Sequence, residues 1–262
     1  MRNRLTDSIV AAAVLLLSSA ALAQTVGQPP PAKPTAEKSQ PFNPHDLTGV
    51  WLIGDGQNNQ IYNQRGQEPP MTPETEAKYT ASHGTDYQAV QDATTDPVFN
   101  CDPYGTPRVY LYPHPFKIVH TPSGEIVFLM EVNHVFHEIY MDGREHPADP
   151  DPQWFGHSTG KWDGDTLVID TVGFNDKTWL DRVGHPHSEA LHTVERWRRT
   201  ASDTLELNVT IDDPKAYTKP WSGQKIFKLR TGWDILESIC VIQDEIDLRN
   251  KNVIREFEPR AK

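Results

Sequence analysis

Cysteine and positive charge are both scarce in this chain. Of its 262 residues only two are cysteines, and 25 lysines and arginines are outnumbered by 36 aspartates and glutamates, for a formal net charge of −11. Such an acidic chain offers little basic surface to a polyanion, so we expect no nucleic-acid partner. The 22 prolines and the 9% aromatic content argue against a collagen-like or fully disordered chain. The length suits one sizeable globular domain.

Motifs of several enzyme classes are also missing. The sequence has no CxxC pair, no HExxH motif, no glycine-rich phosphate loop and no dinucleotide fingerprint. Ser188 follows a histidine, but no G-x-S-x-G turn surrounds it, which argues against a serine hydrolase at that position. After the N-terminus no apolar run is long enough to span a membrane. Acid–base chemistry, metal chemistry and simple binding remain open.

The first residues have the layout of an export signal. Two arginines within the first four residues precede an apolar run at 9–17, and Ala-Leu-Ala at 21–23 has the small-x-small pattern of a signal-peptidase site. The apolar run is too short for a bilayer, which needs roughly 20 residues. We therefore predict a signal peptide over residues 1–23, no membrane span, and a periplasmic or secreted protein.

An oxidising compartment makes pairing of the two cysteines the simplest expectation. Cys101 follows a loop and Cys240 lies in a strand-like run, so a bridge would tie the middle of the chain to its end. Two buried free thiols are the alternative, because free cysteine is among the most buried residue types.

The rest of the chain divides into a linker and one domain. Residues 24–44 are rich in proline and almost free of apolar side chains, which is typical of an extended tether. We predict a single β-barrel domain over 45–262. Residues 54–105 predict a long loop region containing one short helix, with Thr72 as N-cap and Pro73 at the first helical position.

From residue 107 onward, short β-rich runs alternate with turn signals. Dipeptides such as Asp142-Gly143 and Asp163-Gly164 are of the type that closes antiparallel hairpins. Sequential hairpins predict an up-and-down meander, and either a barrel or a two-sheet sandwich would remove its exposed edges. We favour the all-β, antiparallel up-and-down barrel. The predicted strands are 47–53, 107–112, 116–120, 124–131, 133–141, 153–162, 165–172, 190–199, 203–211, 224–231 and 234–242.

Several sequence blocks resemble known families. Gly49-Val50-Trp51, on the first predicted strand, resembles the G-x-W signature of lipocalins and related calycin barrels. The blocks GKWDGDTLVIDT at 160–171, GHPHS at 184–188 and YTKPW at 217–221 look like those of a family of exported bacterial proteins. The resemblance covers most of the chain from residue 46 to about residue 242 and implies a lipocalin-like barrel. It implies no catalytic residues.

The main functional signal is the clustering of the eleven histidines. In the GHPH segment, His185 and His187 are two residues apart and would point to the same side of an extended chain, and His192 would add a third nitrogen. Three neutral imidazoles, or two with a carboxylate such as Glu195 or Asp181, suit Zn, Cu or Fe. The predicted metal ligands are therefore His185, His187 and His192. An ordinary turn whose imidazoles cap backbone groups is the alternative.

Strand alternation points to one more histidine. His137 shares a strand face with Val135, Ile139 and Met141, so its imidazole faces the barrel interior if that face is the core. Aromatic residues on the opposite face leave the direction open. In the strand at 190–199 neither face is cleanly apolar, which favours a polar, ligand-sized interior, with cross-strand ion pairs on a solvated face as the alternative.

These features predict an exported barrel enzyme that acts on a small organic molecule in a His-rich pocket. Imidazoles titrate near neutral pH, which would suit a lyase, isomerase, hydratase or hydrolase. The alternative is a non-catalytic carrier of an apolar small molecule or a metal. Histidine and carboxylate converging in one cavity would favour the enzyme, and a mainly apolar cavity with histidines outside would favour the carrier. The predicted catalytic residues are His137, His185, His187, His192, Glu195 and Asp181.

Overall fold

Nine β-strands of the described residues close into one barrel, and strands adjacent in sequence are adjacent in space. The computed structural model describes residues 41–55, 61, 68–83 and 96–241. The strands are β1 (Gly49–Ile53), β2 (Phe116–His120), β3 (Ile126–Met130), β4 (Phe136–Tyr140), β5 (His157–Asp163), β6 (Thr166–Val172), β7 (His192–Ala201), β8 (Thr204–Asp212) and β9 (Trp221–Leu229). Pairing of β9 with β1 closes the sheet. The predicted all-β barrel is confirmed.

Neighbouring strands pair antiparallel except β4 and β5, which pair parallel with Ile139 opposite Ser158. The chain between them, residues 141–156, runs back along the barrel before β5 begins. This segment contains three prolines, which cannot donate hydrogen bonds to a sheet, so it does not return as a hairpin strand. The meander is therefore mostly, and not strictly, up-and-down.

The two ends of the barrel differ. At one end lie the connections after β1, β3, β6 and β8, and we call this the loop end. At the other end, short turns join β2 to β3, β5 to β6 and β7 to β8. Because loops built on a rigid sheet commonly carry functional side chains, the loop end is the natural place for a site.

The single α-helix of the described residues, α1, spans Pro73–His83 and packs at the loop end. The backbone N–H of Thr75 donates to the Thr72 hydroxyl at 3.3 Å, so Thr72 acts as the N-cap that the sequence predicts. An isolated bridge between Met71 and Tyr217 attaches the start of the helix to the loop after β8.

The predicted strand at 107–112 is wrong, because a 3-10 turn, Arg108–Leu111, occupies this segment. All four of its residues are buried, whereas a barrel strand would bury only one of its faces. The turn lets the Arg108 guanidinium donate two hydrogen bonds to the Asp96 carboxylate, at 2.9 and 2.5 Å. Arg108 is fully buried, and this ion pair secures the segment over the barrel.

The predicted strand at 234–242 is also wrong over its described part, 234–241. There only Ser238 forms a bridge, with Val132, while Leu236 and Ile239 are 68% and 61% exposed. The reason is topological: β9 already pairs with β1, so the closed sheet has no edge for another strand.

A disulfide joins Cys101 to Cys240, with the two Cα atoms 5.4 Å apart, as predicted. It ties the segment after β9 to the loop end and fits an oxidising compartment. The predicted signal peptide at 1–23 and most of the predicted linker at 24–44 lie outside the described residues. In the described part of the chain, no helix has both the length and the apolar character that crossing a bilayer requires.

The barrel interior combines an aromatic core with several polar side chains. In the middle of β1, Trp51 is fully buried, and its indole N–H donates to the carbonyl of Leu47 at 2.9 Å. The Arg199 guanidinium lies 5.5 Å from the Trp51 ring. Polar side chains buried on inward-facing strand positions are His137, Ser158, Thr171, Thr193, Glu195 and Lys225.

Candidate active site at the loop end

The site starts from a tight turn in the connection between β6 and β7. The Asp181 carboxylate accepts hydrogen bonds from the backbone N–H groups of Val183, at 3.2 Å, and His185, at 3.4 Å. Gly184 has φ +93°, a conformation that L side chains rarely adopt, which makes glycine the suitable residue there. The turn therefore holds the Asp181 and His185 side chains face to face.

His185 lies between two carboxylates. Its Nδ1 is 2.7 Å from Asp181 Oδ2, and its Nε2 is 2.7 Å from Glu68 Oε2. Burial disfavours the charged imidazole, but Asp181 and Glu68 outweigh that effect and raise the pKa of His185 to about 9. His185 is therefore an imidazolium at neutral pH, and it donates one N–H to each carboxylate.

Two aromatic rings surround this imidazolium. The Tyr79 ring, from α1, stacks on it with centroids 4.7 Å apart and an interplanar angle of 7°. Trp221, at the start of β9, contacts it edge-on at 6.4 Å. These rings bury His185 to 1% exposure and give it the aromatic surroundings that stabilise a cation.

A second cation lies inside the barrel below the turn. Lys225 on β9 is 2% exposed. Burial lowers its pKa to about 8, and the Asp181 charge partly opposes this decrease. Lys225 is thus mostly protonated at neutral pH, and its charge acts on the same carboxylate that holds His185.

Backbone packing brings the chain at Ile61 against the site. The Ile61 N–H donates to Asp181 Oδ2 at 3.4 Å. A Cβ on Gly223 would come within 2.0 Å of the Ile61 carbonyl oxygen, so only glycine permits this approach. Asp181 therefore receives hydrogen bonds from three backbone N–H groups in addition to His185.

His137 is part of a separate, interior hydrogen-bonded chain. Its Nδ1 lies 3.1 Å from the Tyr110 hydroxyl and its Nε2 lies 2.6 Å from Ser158 Oγ, which is 2.8 Å from Thr171 Oγ1. Burial lowers the pKa of His137 to about 3, so the imidazole is neutral. Its weak basicity and full set of protein partners make it a poor proton acceptor for a substrate.

Glu195 is also in the interior, on β7. It is fully buried, and its Oε2 accepts a hydrogen bond from the Trp197 indole N–H at 2.8 Å. Its Oε1 has no partner among the described residues. Burial raises the pKa of Glu195 to about 7, although the Trp197 bond opposes the rise. It does not form an ion pair with any described residue.

His187 and His192 lie in different surroundings from His185. His187 Nε2 is 2.8 Å from the Thr178 hydroxyl and its Nδ1 is 3.2 Å from the Ser188 carbonyl, and burial lowers its pKa. His192 is on the outer face of the barrel, where its Nε2 is 3.1 Å from the Asp170 carboxylate. Only His185 and Asp181, of the predicted catalytic set, are in direct contact.

The outer face carries its own histidine cluster. His146 Nε2 lies 3.0 Å from the Asp170 carboxylate that also contacts His192, and His146 Nδ1 lies 2.8 Å from His157 Nδ1. His146 and Asp170 line an open groove of about 690 Å³. Over the described ranges, no group of three or more His, Cys, Asp or Glu side chains has an arrangement suited to a metal ion. Metal binding by His185, His187 and His192 stays a prediction.

Sequence reasoning missed two members of the site. Glu68 lies in the stretch predicted as a loop and precedes two prolines, and no pattern connects it to a histidine 117 positions later. Lys225 had a usable signal, because it shares a strand face with Trp221 and Phe227. A lysine on an otherwise apolar strand face is expected to be buried and perturbed.

Comparison with known proteins adds no identity. No family model, no curated protein and no solved structure matches the chain. The closed barrel is consistent with the lipocalin-like resemblance of the G-x-W segment.

Proposed function

We propose that this protein is an exported enzyme that acts on a small organic molecule by acid–base chemistry at His185. The observation that carries the proposal is the contact of one buried imidazole with two carboxylates, Asp181 and Glu68, at 2.7 Å each. Convergence of histidine and carboxylate is what an acid–base site needs and what a plain carrier does not.

The roles follow from position and charge. Asp181 is buried and held by backbone N–H groups, so it positions His185 and stabilises its protonated form. The Nε2–H of His185 points toward the more exposed Glu68, whose side chain is 54% exposed. An imidazolium at that place donates a proton, or a hydrogen bond, to an oxygen of a substrate that becomes negative. Lys225 adds positive charge in the same region. A lyase, isomerase, hydratase or hydrolase reaction would use these groups.

The proposed location is the periplasm or the exterior of the cell. The Cys101–Cys240 disulfide supports it, because structural disulfides persist in oxidising compartments. The layout of residues 1–23 supports it from the sequence. The block resemblance to exported bacterial proteins agrees with both.

The test compares wild type with His185→Asn and Asp181→Asn. We would incubate each with a panel of small hydroxy, carbonyl and ester compounds in D2O and follow consumption and solvent-deuterium incorporation by NMR. General acid–base groups contribute roughly 100-fold or more to rate, so we expect a loss of that order in both variants. His192→Asn is the matched control, because its His–Asp contact lies on the outer face. Folded variants of His185 and Asp181 that keep the wild-type rate would refute the proposal.

The carrier function has one observation in its favour. An open groove of about 360 Å³ lies beside the short β4–β5 seam, with Phe136, Tyr140, Trp154 and Phe155 among its lining residues. Phe136 is 63% exposed, so its ring is open to an apolar ligand in this groove. If wild type binds panel compounds at this groove and returns all of them unchanged, the carrier is favoured. Elemental analysis of protein purified without chelator tests the metal-assisted form of the chemistry with Zn, Cu or Fe.

A further inference from the structure

Glu68 differs from the other groups of the site in being exposed. Its side chain is 54% exposed, whereas those of His185 and Asp181 are 2% and 0% exposed. The chain is attached to the barrel two residues later, where the Thr218 N–H donates to the Pro70 carbonyl at 2.8 Å. The Glu68 carboxylate can therefore leave His185 by rotation of its own side chain, without displacement of that attachment.

Such a rotation would leave the Nε2–H of the buried His185 without the acceptor it has here, while its Nδ1 keeps Asp181. Asp181 and Glu68 both favour the protonated imidazole, so rotation of Glu68 removes one of the two carboxylates that stabilise its charge. A buried N–H donor of a charged group is costly to leave without a hydrogen-bond acceptor. The site therefore needs a carboxylate, or a similar oxyanion, at the Nε2 edge of His185, and Glu68 supplies it in the free protein.

The rings that contact His185 indicate what the anion is attached to. Tyr79 stacks on one face of the imidazole, and Trp221 contacts it edge-on. A planar or apolar body next to a carboxylate would meet these rings while the carboxylate meets His185. A cationic or neutral compound would not restore the negative charge that Glu68 places at His185 Nε2.

We propose that the site takes small organic carboxylates whose carboxylate replaces that of Glu68 on His185 Nε2, with Glu68 closing the site when no such anion is present. This substrate class rests on the proposed function, because it concerns the same imidazole. In this proposal Glu68 has a positioning role, because an external anion must compete with it for His185 Nε2. A merely structural ion pair would have no such role.

The experiment uses benzoate as probe and benzamide as its neutral isostere, with binding followed by calorimetry and thermal melting of the full chain. In Glu68→Ala we expect benzoate to bind roughly 10-fold to 100-fold tighter than in wild type, because no internal carboxylate competes for a charge-assisted hydrogen bond. Benzamide should bind equally weakly to both. Glu74→Ala is the control, because Glu74 is an exposed acidic residue in the same part of the chain. It should behave as wild type does.

Two further variants keep the outcome decisive. Glu68→Gln retains a hydrogen-bonding side chain without the charge, so it should fold and should bind benzoate more tightly than wild type. His185→Asn combined with Glu68→Ala should lose the benzoate effect. Benzoate binding that is unchanged by Glu68→Ala and Glu68→Gln, matched by benzamide, or retained without His185 would overturn the proposal.

The outcome is separable from that of the proposed function, because binding is measured without turnover. Tight benzoate binding with no reaction of any compound would support carboxylates as the ligand class. It would contradict the enzyme and favour a carrier of carboxylates. Reaction of neutral compounds at His185 with no preference for carboxylates would overturn the substrate class alone.

Discussion

Replacing Glu195 by glutamine should make the protein progressively more stable than wild type as the pH rises from 4.5 to about 8. Glutamine has nearly the shape of glutamate. Its amide oxygen can accept the hydrogen bond that the Trp197 indole N–H donates to Glu195 Oε2 in wild type. Glutamine removes the charge that the fully buried carboxyl acquires when it ionises. The substitution therefore isolates the cost of a carboxylate in the barrel interior.

The magnitude follows from the two protonation equilibria. The pKa of Glu195 is about 7 in the folded state, against an ordinary value of 4.5. Between these values the unfolded carboxyl is ionised while the folded one keeps its proton, so the free energy of unfolding of wild type falls as pH rises, by about 1.4 kcal/mol per pH unit. The total loss is about 3 kcal/mol, and it is complete above pH 7. The glutamine variant has no such loss.

Urea denaturation of both proteins over this pH range measures the difference directly. The seven tryptophans provide the fluorescence signal, and Trp197 is in contact with the substituted side chain. Any pH-independent cost of burying the amide cancels, because the prediction concerns how the difference changes with pH. Glu189→Gln, at an exposed position, controls for the loss of one negative charge. A difference in unfolding free energy that stays flat from pH 4.5 to 8, or falls, would refute the reasoning.

Three other predictions concern the ion pairs and the disulfide. Wild type should lose about 3 kcal/mol of stability relative to His185→Asn as pH rises from 6.5 to about 9, because the folded imidazole keeps a proton that the unfolded one releases. Urea titrations at several pH values measure this loss. The two proteins would not diverge with pH if the folded imidazole were neutral. Removing the disulfide by Cys101→Ser with Cys240→Ser should lower the free energy of unfolding by up to about 5 kcal/mol, since the bridge spans 139 positions, and an unchanged urea midpoint would contradict this. Asp96→Ala should cost about 3–5 kcal/mol by leaving the buried Arg108 guanidinium without its anion, and a loss below about 1 kcal/mol in the same assay would speak against that role.

The barrel strands were predictable because their signals are local. A side-chain period of two and turn residues such as Asp163-Gly164 depend only on neighbouring residues, and the predicted strand at 116–120 has the bounds of β2. The two wrong strands failed for non-local reasons. All four residues of 108–111 are buried, with Tyr110 packed against Phe128 and Trp197 of distant strands, and residues 234–241 follow a sheet that is already closed.

The candidate site shows the same division. Asp181 and His185 are four residues apart, so the sequence alone identified both as candidate site residues. The turn at Gly184 brings their side chains into contact. Alternation also placed His137 on one strand face with Ile139, but only the structure showed that this face points into the barrel. The sequence did not separate His185 from His187 and His192, which differ in their partners and not in their residue type.

Sequence by itself determined what depends on short stretches of chain: the β-rich pattern, the N-cap of α1 and which side chains share a strand face. Only the tertiary structure decided which charges meet, because Glu68 and Lys225 reach the Asp181–His185 pair from distant parts of the chain. The protonation state of each histidine depends on these contacts. Burial and neighbouring charge act through space, so an imidazole becomes a cation at His185 and stays neutral at His137 although both are the same side chain.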